Sequence, residues 1–496
     1  MSKLESNSKI EFNKISFLYL GIGAILSLFY NGKWILPIAT WLAPVFLMRF
    51  SRTHKPVIGF LMITVICSVT SIITWQGLIP LRGVPYYLMM IIGSLFGALL
   101  YLIDRLIATR FNNFLSTLVF PLTSVALEYL RVSTSLYGAN GSIALTQNNL
   151  PLLQIISITG IWGIVFLITW FAPFINWIWE RQRECSQIRT GTFIFVVTIL
   201  AVFLYGNIHL TFFPPDSETI RISSITSKLS NPDIPSDTED WESFRKISAD
   251  KQENILNLSL EAARIGANII IWHEGEIFIL KEDEPEFVNK GRELAKKENV
   301  FLGMAIATFT RKFPEEYAEN KIVWLDTTGN VLFEYLKAIP TPTEKCIAGD
   351  GKVKFLNYPD SKIASTICFD LDFPSFIRKF GEAGTDIMIS PANDWGAIAK
   401  THPQQVSLRA IEQGFSLVRP NSKSGISIAY DYQGKIISSL DNSRTDQPIL
   451  ISDAPKKGAT TIYSQIGDLF AWLCSFGFII IVVKGIYERR KVHRAG

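Results

Sequence analysis

The sequence predicts an α-helical membrane bundle of eight spans carrying an inserted, extracytoplasmic α/β domain. Three observations predict it. Eight long apolar runs occur in a chain that is 48% hydrophobic. Lysine and arginine fall almost entirely on one side of those runs. Residues 216–457 instead alternate strand-like and helix-like segments and hold no run long enough to span. With 496 residues, more than one domain is expected.

The apolar runs lie near 15–31, 34–50, 56–75, 84–103, 111–130, 152–179, 192–212 and 463–484, each close to the roughly 20 residues that cross a bilayer. With the N-terminus inside, the inner segments carry 16 basic residues, from Lys3, Lys9 and Lys14 through Arg49, Arg52, Lys55, Arg105, Arg110, Arg181, Arg183 and Arg189 to Lys484, Arg489, Arg490, Lys491 and Arg494. The short outer loops carry three: Lys33, Arg82 and Arg131. This positive-inside pattern puts both termini in the cytoplasm and the insert outside the cytoplasmic membrane. It divides the chain into a seven-span domain (1–215), the insert (216–457), and a last span with a basic tail (458–496). The insert has 29 Lys+Arg against 36 Asp+Glu, so the net charge of +4 is topological and asks for no nucleic acid. Polar residues 1–14 with no small-residue cleavage site read as the flank of an uncleaved span.

Within the membrane part, Glu128 and Arg131 are spaced to pair on one helix face. Residues 136–150, rich in Gly, Asn and Ser, read as an outer loop. Trp34, Trp41, Trp75, Trp162, Trp177 and Trp179 sit mostly near span ends, as interfacial anchors do.

In the insert, strands are expected at 220–225, 268–272, 300–308, 322–326, 331–336, 362–369, 387–390, 416–419 and 426–430, with helices at 241–266, 286–298, 373–383 and 404–414. Helices interleaved with strands give a layered α/β domain.

Three strand-like runs end at chemically useful residues. Glu274 follows Ile271-Trp272-His273, Lys337 follows Tyr335-Leu336, and Cys368 follows Thr366-Ile367. A base, a cation and a thiol at strand ends equip a site for acyl transfer through a thioester. Glu274, buried at a strand end, is expected to have a raised pKa and to take the thiol proton. Glu276 follows the same strand and Cys346 is a second outward-facing thiol, so both are rivals. A Cys346–Cys368 disulfide would consume the nucleophile. Five scattered cysteines make no disulfide framework. His273 and His402 are the insert's two histidines and no Cys-x-x-Cys accompanies them, which argues against a metal site and against a Ser-His-Asp triad.

The order Glu274, Lys337, Cys368, followed by Asn393-Asp394-Trp395, Gln404 to Glu412 and Arg419 to Gly425, resembles the carbon–nitrogen hydrolase (nitrilase) superfamily. With the run 152–160 leading to Asn176, the Glu128/Arg131 pair and Thr461–Asp468, the chain resembles that superfamily's membrane branch, the apolipoprotein N-acyltransferases. The resemblance covers nearly the whole chain. It implies an α-β-β-α sandwich held outside the membrane by eight helices, with Glu274, Lys337 and Cys368 as catalytic triad. It also implies Glu344 as the second glutamate, the Phe369 N–H as an oxyanion donor and Trp241 lining the site. Asn393, Asp394 and Trp395 would shape the loop beneath the cysteine, with Asp370 supporting Lys337. This chain departs from the family pattern with His273 in place of Pro and Phe369-Asp370 in place of Tyr-Glu. Lys337 to Glu344 is one residue short and Arg419 to Gly425 one long.

The expected activity is ping-pong acyl transfer from a membrane phospholipid to a diacylated lipoprotein, by a monomer without cofactor. A soluble amide would need no eight-span anchor. The alternatives are a membrane-anchored amidase and a non-catalytic lipid or lipoprotein scaffold. Segments 227–240, 278–286 and 340–351 are expected to be mobile loops that dip into lipid.

Overall fold

The computed structural model describes residues 14–181, 185–235 and 241–495. Lys3, Lys9, Arg183 and the 236–240 end of the first expected loop lie outside the described residues, as do the side chains of the basic tail from 488 onward.

The membrane part begins with α1 (Lys14–Ser27), α2 (Pro37–Thr53), α3 (Pro56–Thr74), α4 (Val84–Ile107) and α5 (Val119–Thr134). Proline opens α2, α3 and α4 in the first turn, where its missing N–H costs no helix hydrogen bond. Within the expected outer loop 136–150, residues 142–147 are buried. Gln147 receives the Trp41 Nε1 proton at 3.1 Å and donates to Thr40 at 2.9 Å. The run 152–179 is broken into α6 (Leu150–Leu153), α7 (Ile156–Thr159) and α8 (Ile161–Glu180). The break falls at Gly160, with φ +63°, where a Cβ would lie 2.4 Å from the Tyr463 ring; only glycine fits both demands. After α9 (Cys185–Phe212) the chain leaves the bundle.

Among the described residues, six helical stretches are long and apolar enough to cross a membrane: Pro56–Thr74, Val84–Arg110, Phe114–Thr134, Ile161–Glu180, Ile188–Phe212 and Leu469–Tyr487. α1 and α2, of 14 and 17 residues, are shorter. Glu128 and Arg131 approach to 3.8 Å. Trp162 and Trp177 are buried within the protein, so they pack the bundle rather than anchor it in an interface.

The insert runs β1 (Thr219–Ile225), α10 (Trp241–Arg264), β2 (Ile269–Trp272), β3 (Ile277–Leu280), α11 (Glu284–Glu298), β4 (Phe301–Phe309), β5 (Glu319–Leu325), β6 (Val331–Leu336), β7 (Phe355–Tyr358) and β8 (Ser361–Ser365). It continues with α12 (Pro374–Glu382), β9 (Ile387–Ile389), α13 (Thr401–Gln413), β10 (Ser416–Arg419), β11 (Ile426–Tyr430), β12 (Ile436–Asp441) and β13 (Ile449–Pro455). One sheet has the order β13-β1-β2-β4-β5-β6, with β3 also paired to β4; the other is β12-β11-β10-β9-β8-β7. The parallel strands β1, β2 and β4, and β8, β9 and β10, occupy the middle of each sheet. The near-continuous apolar sequences of β2, β4 and β9 fit strands covered on both faces. Ile271, Leu302, Trp324, Ile363, Ile387 and Leu417 belong to one core shared by the two sheets. Trp324 Nε1 reaches across to Ser365 Oγ at 2.9 Å. α10 and α11 pack against the first sheet and α13 against β10 and β11 of the second.

Two expectations fail here. Residues 278–286 are not a lipid-dipping loop: Phe278 to Leu280 form β3 against β4, and Glu284 begins α11. β7, β12 and β13 are further strands that the sequence reading left out. Beyond β13 come α14 (Ile462–Ile466) and α15 (Leu469–Ala495), separated at Gly467.

The insert docks on the bundle through α13. Glu412 Oε1 accepts the Ile161 N–H at 3.0 Å, capping α8, and the Thr461 hydroxyl donates to the Glu412 carbonyl at 2.5 Å.

Candidate active site

Strand exits bring Glu274, Lys337 and Cys368 together. Glu274 stands two residues past β2 and Lys337 directly past β6. Lys337 Nζ lies 2.8 Å from Glu274 Oε1 and 2.8 Å from both oxygens of Glu344. Asn320 Nδ2 donates to Glu274 Oε1 at 2.8 Å, while its carbonyl accepts the Lys337 N–H at 2.8 Å. Burial alone would push the Glu274 carboxyl up. The charge and hydrogen bond of Lys337, joined by hydrogen bonds from Asn320 and the Cys368 thiol, together outweigh it and hold the carboxyl below its usual value. The raised value expected from burial is therefore corrected: a contacting cation and the hydrogen bonds to the carboxylate together exceed the desolvation cost. Burial would strip the Lys337 proton, but Glu274 keeps the amine charged, well above its usual range. Burial and Glu274 together push the Cys368 thiol well up, so its resting form is protonated.

Cys368 is not at the end of a strand. β8 stops at Ser365, and Cys368 opens a 3₁₀ turn, Cys368–Asp372, with φ +44°. A non-glycine residue in this region is strained by ~1–3 kcal/mol, a cost kept only where the surroundings enforce it. The Cys368 N–H donates to the Pro391 carbonyl at 2.9 Å. Asp370 accepts from Ile367 N at 3.0 Å, Ile339 N at 2.8 Å and Tyr335 Oη at 2.8 Å. It thus ties the segment after Lys337 to the cysteine turn, supporting the lysine through the backbone rather than touching its amine. Burial raises the Asp370 carboxyl to about 6.

The thiol opens into a cavity lined by both parts of the protein. Trp75, Leu78 and Ile79 come from the α3–α4 link and Tyr137 and Asn140 from the segment after α5; Phe369, Trp395, Thr341 and Gln405 come from the insert. Trp395, 39% exposed, donates Nε1–H to the Gly77 carbonyl at 3.0 Å. Ala139 N–H donates to the Asp372 carbonyl at 2.7 Å. Phe369 packs edge-on to Tyr137 and Phe373.

Other expected residues fall elsewhere. Trp241 is buried with Phe244, Leu280, Ala307, Phe309 and Ala318, a cluster separate from the thiol cavity. Asn393 is exposed. Glu276 is committed to Lys251 at 3.0 Å and His273 at 2.8 Å, which removes it as a rival base. Cys346 and Cys368 are both free thiols, and burial lifts Cys346 to about 11.

The sequence reading missed a buried cluster beside the cysteine. Asp394 accepts Arg419 Nη1 at 2.7 Å and Nη2 at 2.9 Å, and Asn421 Nδ2 at 2.7 Å. His402 meets Asp394 through Nδ1 at 2.8 Å and Asp372 through Nε2 at 3.0 Å. Cys368, Asp394 and His402 each bring a ligand-type atom within 4.8 Å of the others. Both histidine nitrogens and both Asp394 oxygens are already engaged, and the Arg419 guanidinium holds the place of a cation. The set does not fit a metal. Its one sequence signal is His402, Arg409 and Gln413 on the buried face of α13, where apolar residues would be expected.

The carbon-nitrogen hydrolase family model matches residues 248–461, and that of the apolipoprotein N-acyltransferase N-terminal domain matches residues 20–174. Similar proteins include the apolipoprotein N-acyltransferase of Rickettsia prowazekii (strain Madrid E), 25% identical over 402 residues, covering 75% of this chain and 76% of its own. That of Geobacter metallireducens is 23% identical over 403 residues, covering 75% of each chain. Among solved structures, an amidase from Nesterenkonia sp. is 17% identical with a TM-score of 0.42, covering 52% of this chain and 97% of its own. Fold and site define a multi-pass membrane protein that carries a carbon–nitrogen hydrolase domain. Within that class, the chain belongs to the apolipoprotein N-acyltransferase family.

Proposed function

We propose that this chain moves an acyl group from a membrane phospholipid to the N-terminal diacylglyceryl-cysteine of a lipoprotein, through a thioester on Cys368. The observation that carries the reading is the cavity at the thiol, roofed by loops of the membrane bundle as well as of the insert. A donor dissolved in the bilayer can reach the thiol there, and a donor dissolved in water gains nothing from that roof.

In the first step, Cys368 Sγ attacks the ester carbonyl and its proton passes to Glu274. Lys337 and the Phe369 N–H stabilise the tetrahedral oxyanion; losing one such donor costs about 10²–10³ in rate. The ester C–O bond breaks, and Glu274 returns the proton to the lysophospholipid oxygen. In the second step, the α-amine attacks the thioester, Glu274 takes the amine proton, and the thiol is regenerated. Glu344, held by Thr341 N–H at 2.8 Å, fixes Lys337 from its open side. No cofactor enters the scheme.

In this reading α1 and α2 complete eight spans. Both termini are cytoplasmic, and the 216–457 insert is an outward-facing α-β-β-α sandwich working as a monomer. The one-sided basic residues and the paired sheets support it. Purified protein incubated with phospholipid is expected to gain one acyl mass that hydroxylamine removes and that Cys368→Ser lacks. A diacylated lipopeptide should then discharge it onto the peptide amine. Discharge to water alone, with amide cleavage, would make the protein an amidase; no adduct would end the thioester proposal.

A further inference from the structure

We propose that His402 is a positioning residue for Cys368: an imidazolium clamped between Asp372 and Asp394, it holds the cysteine turn and sets a further positive charge beside the thiol. Its consequence for turnover rests on the acyl-transfer reading; its effect on the thiol does not.

Geometry and charge together favour a ring protonated on both nitrogens. Carboxylates only accept hydrogen bonds. Asp372 Oδ2, 3.0 Å from Nε2, takes a hydrogen from that nitrogen, and Asp394 Oδ1, 2.8 Å from Nδ1, takes one from the other nitrogen when the ring is charged. Arg419 Nη2 lies 2.9 Å from Nδ1 and also 2.9 Å from the same Asp394 Oδ1. In the charged ring both nitrogens of this triangle donate to one oxygen; in the neutral ring Nδ1 would instead accept from Arg419. The charges facing the ring are Asp372 on the cysteine turn, Asp394 on the loop before α13, Arg419 on β10 and the thiol itself. The membrane side adds the Tyr137 phenol in the same cavity. Two carboxylates against one guanidinium favour the charged ring, in agreement with a value raised to about 9 despite burial. A neutral ring would leave a net negative charge beside a thiol that must ionise.

The link to the nucleophile is direct. Asp372 is the last residue of the turn that begins at Cys368, and its carbonyl takes the Ala139 N–H from the membrane part. His402 therefore pins one end of a strained turn whose other end carries Sγ. A ring nitrogen, Sγ and an Asp394 oxygen all lie within 4.8 Å of one another. At that separation a charge shifts a thiol by a unit or more, which is about tenfold in thiolate.

The test is the rate of iodoacetamide labelling at Cys368, read by peptide-resolved mass spectrometry on the full-length protein in detergent between pH 6 and 10. His402→Gln is expected to label about tenfold more slowly at pH 8 with its profile displaced to higher pH, and His402→Lys to recover part of the rate. ¹⁵N-histidine NMR of the wild-type protein, with His402 assigned against His402→Gln, should show both nitrogens protonated at pH 7.5. Wild-type labelling in His402→Gln, equal slowing in both variants, or a neutral ring would each overturn the proposal. Should both variants misfold, the NMR measurement decides alone, with His402 assigned by single substitution of His54, His209, His273 and His493. Slowed labelling in His402→Gln with no acyl adduct on the wild type would sink the acyl-transfer reading and leave His402's role standing.

Discussion

Replacing Lys337 with methionine tests the site's electrostatics most directly. The amine sits 2.8 Å from Glu274 and from Glu344, and the lysine and Glu274 side chains are 1% and 5% exposed. Methionine nearly matches lysine in length, so the change removes charge more than shape. Breaking a buried pair costs ~3–5 kcal/mol, because the surviving charge has no partner. Glu274 escapes that cost by binding a proton, and this makes the penalty pH-dependent. In the wild type, the Glu274 carboxyl is held down, so its contribution to stability is present at neutral pH and is lost as pH falls through the depressed folded value. Without Lys337, burial dominates and the folded value rises above the unfolded one. The contribution is then present below about pH 4 and lost as pH rises through the new value. The gap in melting midpoint between wild type and Lys337→Met should be small at pH 5 and full at pH 8. A neutral Glu274 cannot take the thiol proton, and the oxyanion has lost its cation, so adduct formation should fall by at least ~10³. An equal gap at both pH values, or adduct formation within tenfold of wild type, would refute the reasoning.

Gly138 has φ +53°, and a Cβ there would lie 2.3 Å from the Asp372 carbonyl oxygen. Gly138→Ala should cost ~1–3 kcal/mol in thermal melts and slow acyl-adduct formation by pushing on the cysteine turn. For Asp370, the folded value near 6 exceeds the unfolded one near 3.9, so its stability contribution is present below pH 4 and lost as pH rises through 6, about 3 kcal/mol in all. Asp370→Asn removes that slope but turns an amide N–H toward a backbone donor, at ~1.5–3 kcal/mol. Melts should show the variant destabilised at pH 5 and close to wild type at pH 7.5.

Glu274, Lys337 and Cys368 were legible in the sequence because each follows a β-type run, and strand exits at one end of paired sheets converge. β3 was not legible, since four apolar residues after Gly275-Glu276 carry no alternation and resemble a loop. The break at Gly160 was hidden because apolar composition continues through it; the Tyr463 ring that demands glycine lies some three hundred residues away in the chain. The sign of the Glu274 shift needed the distance to Lys337, because burial and a contacting cation act in opposite directions. Trp241 is apolar in a way that suits a core and a substrate wall equally, and only packing told them apart. The His402 cluster draws on positions 372, 394, 402 and 419, which share no period.

The Trp395–Gly77 and Ala139–Asp372 hydrogen bonds have a consequence for timing. The roof over the cysteine is built partly by the membrane bundle, and the cysteine itself by the insert. A small displacement of the α3–α4 link against the insert changes the thiol's access to lipid and to water together. If Cys368 carries an acyl group, its lifetime would then depend on how the bundle and the insert move against each other, and not solely on Glu274, Lys337 and Cys368.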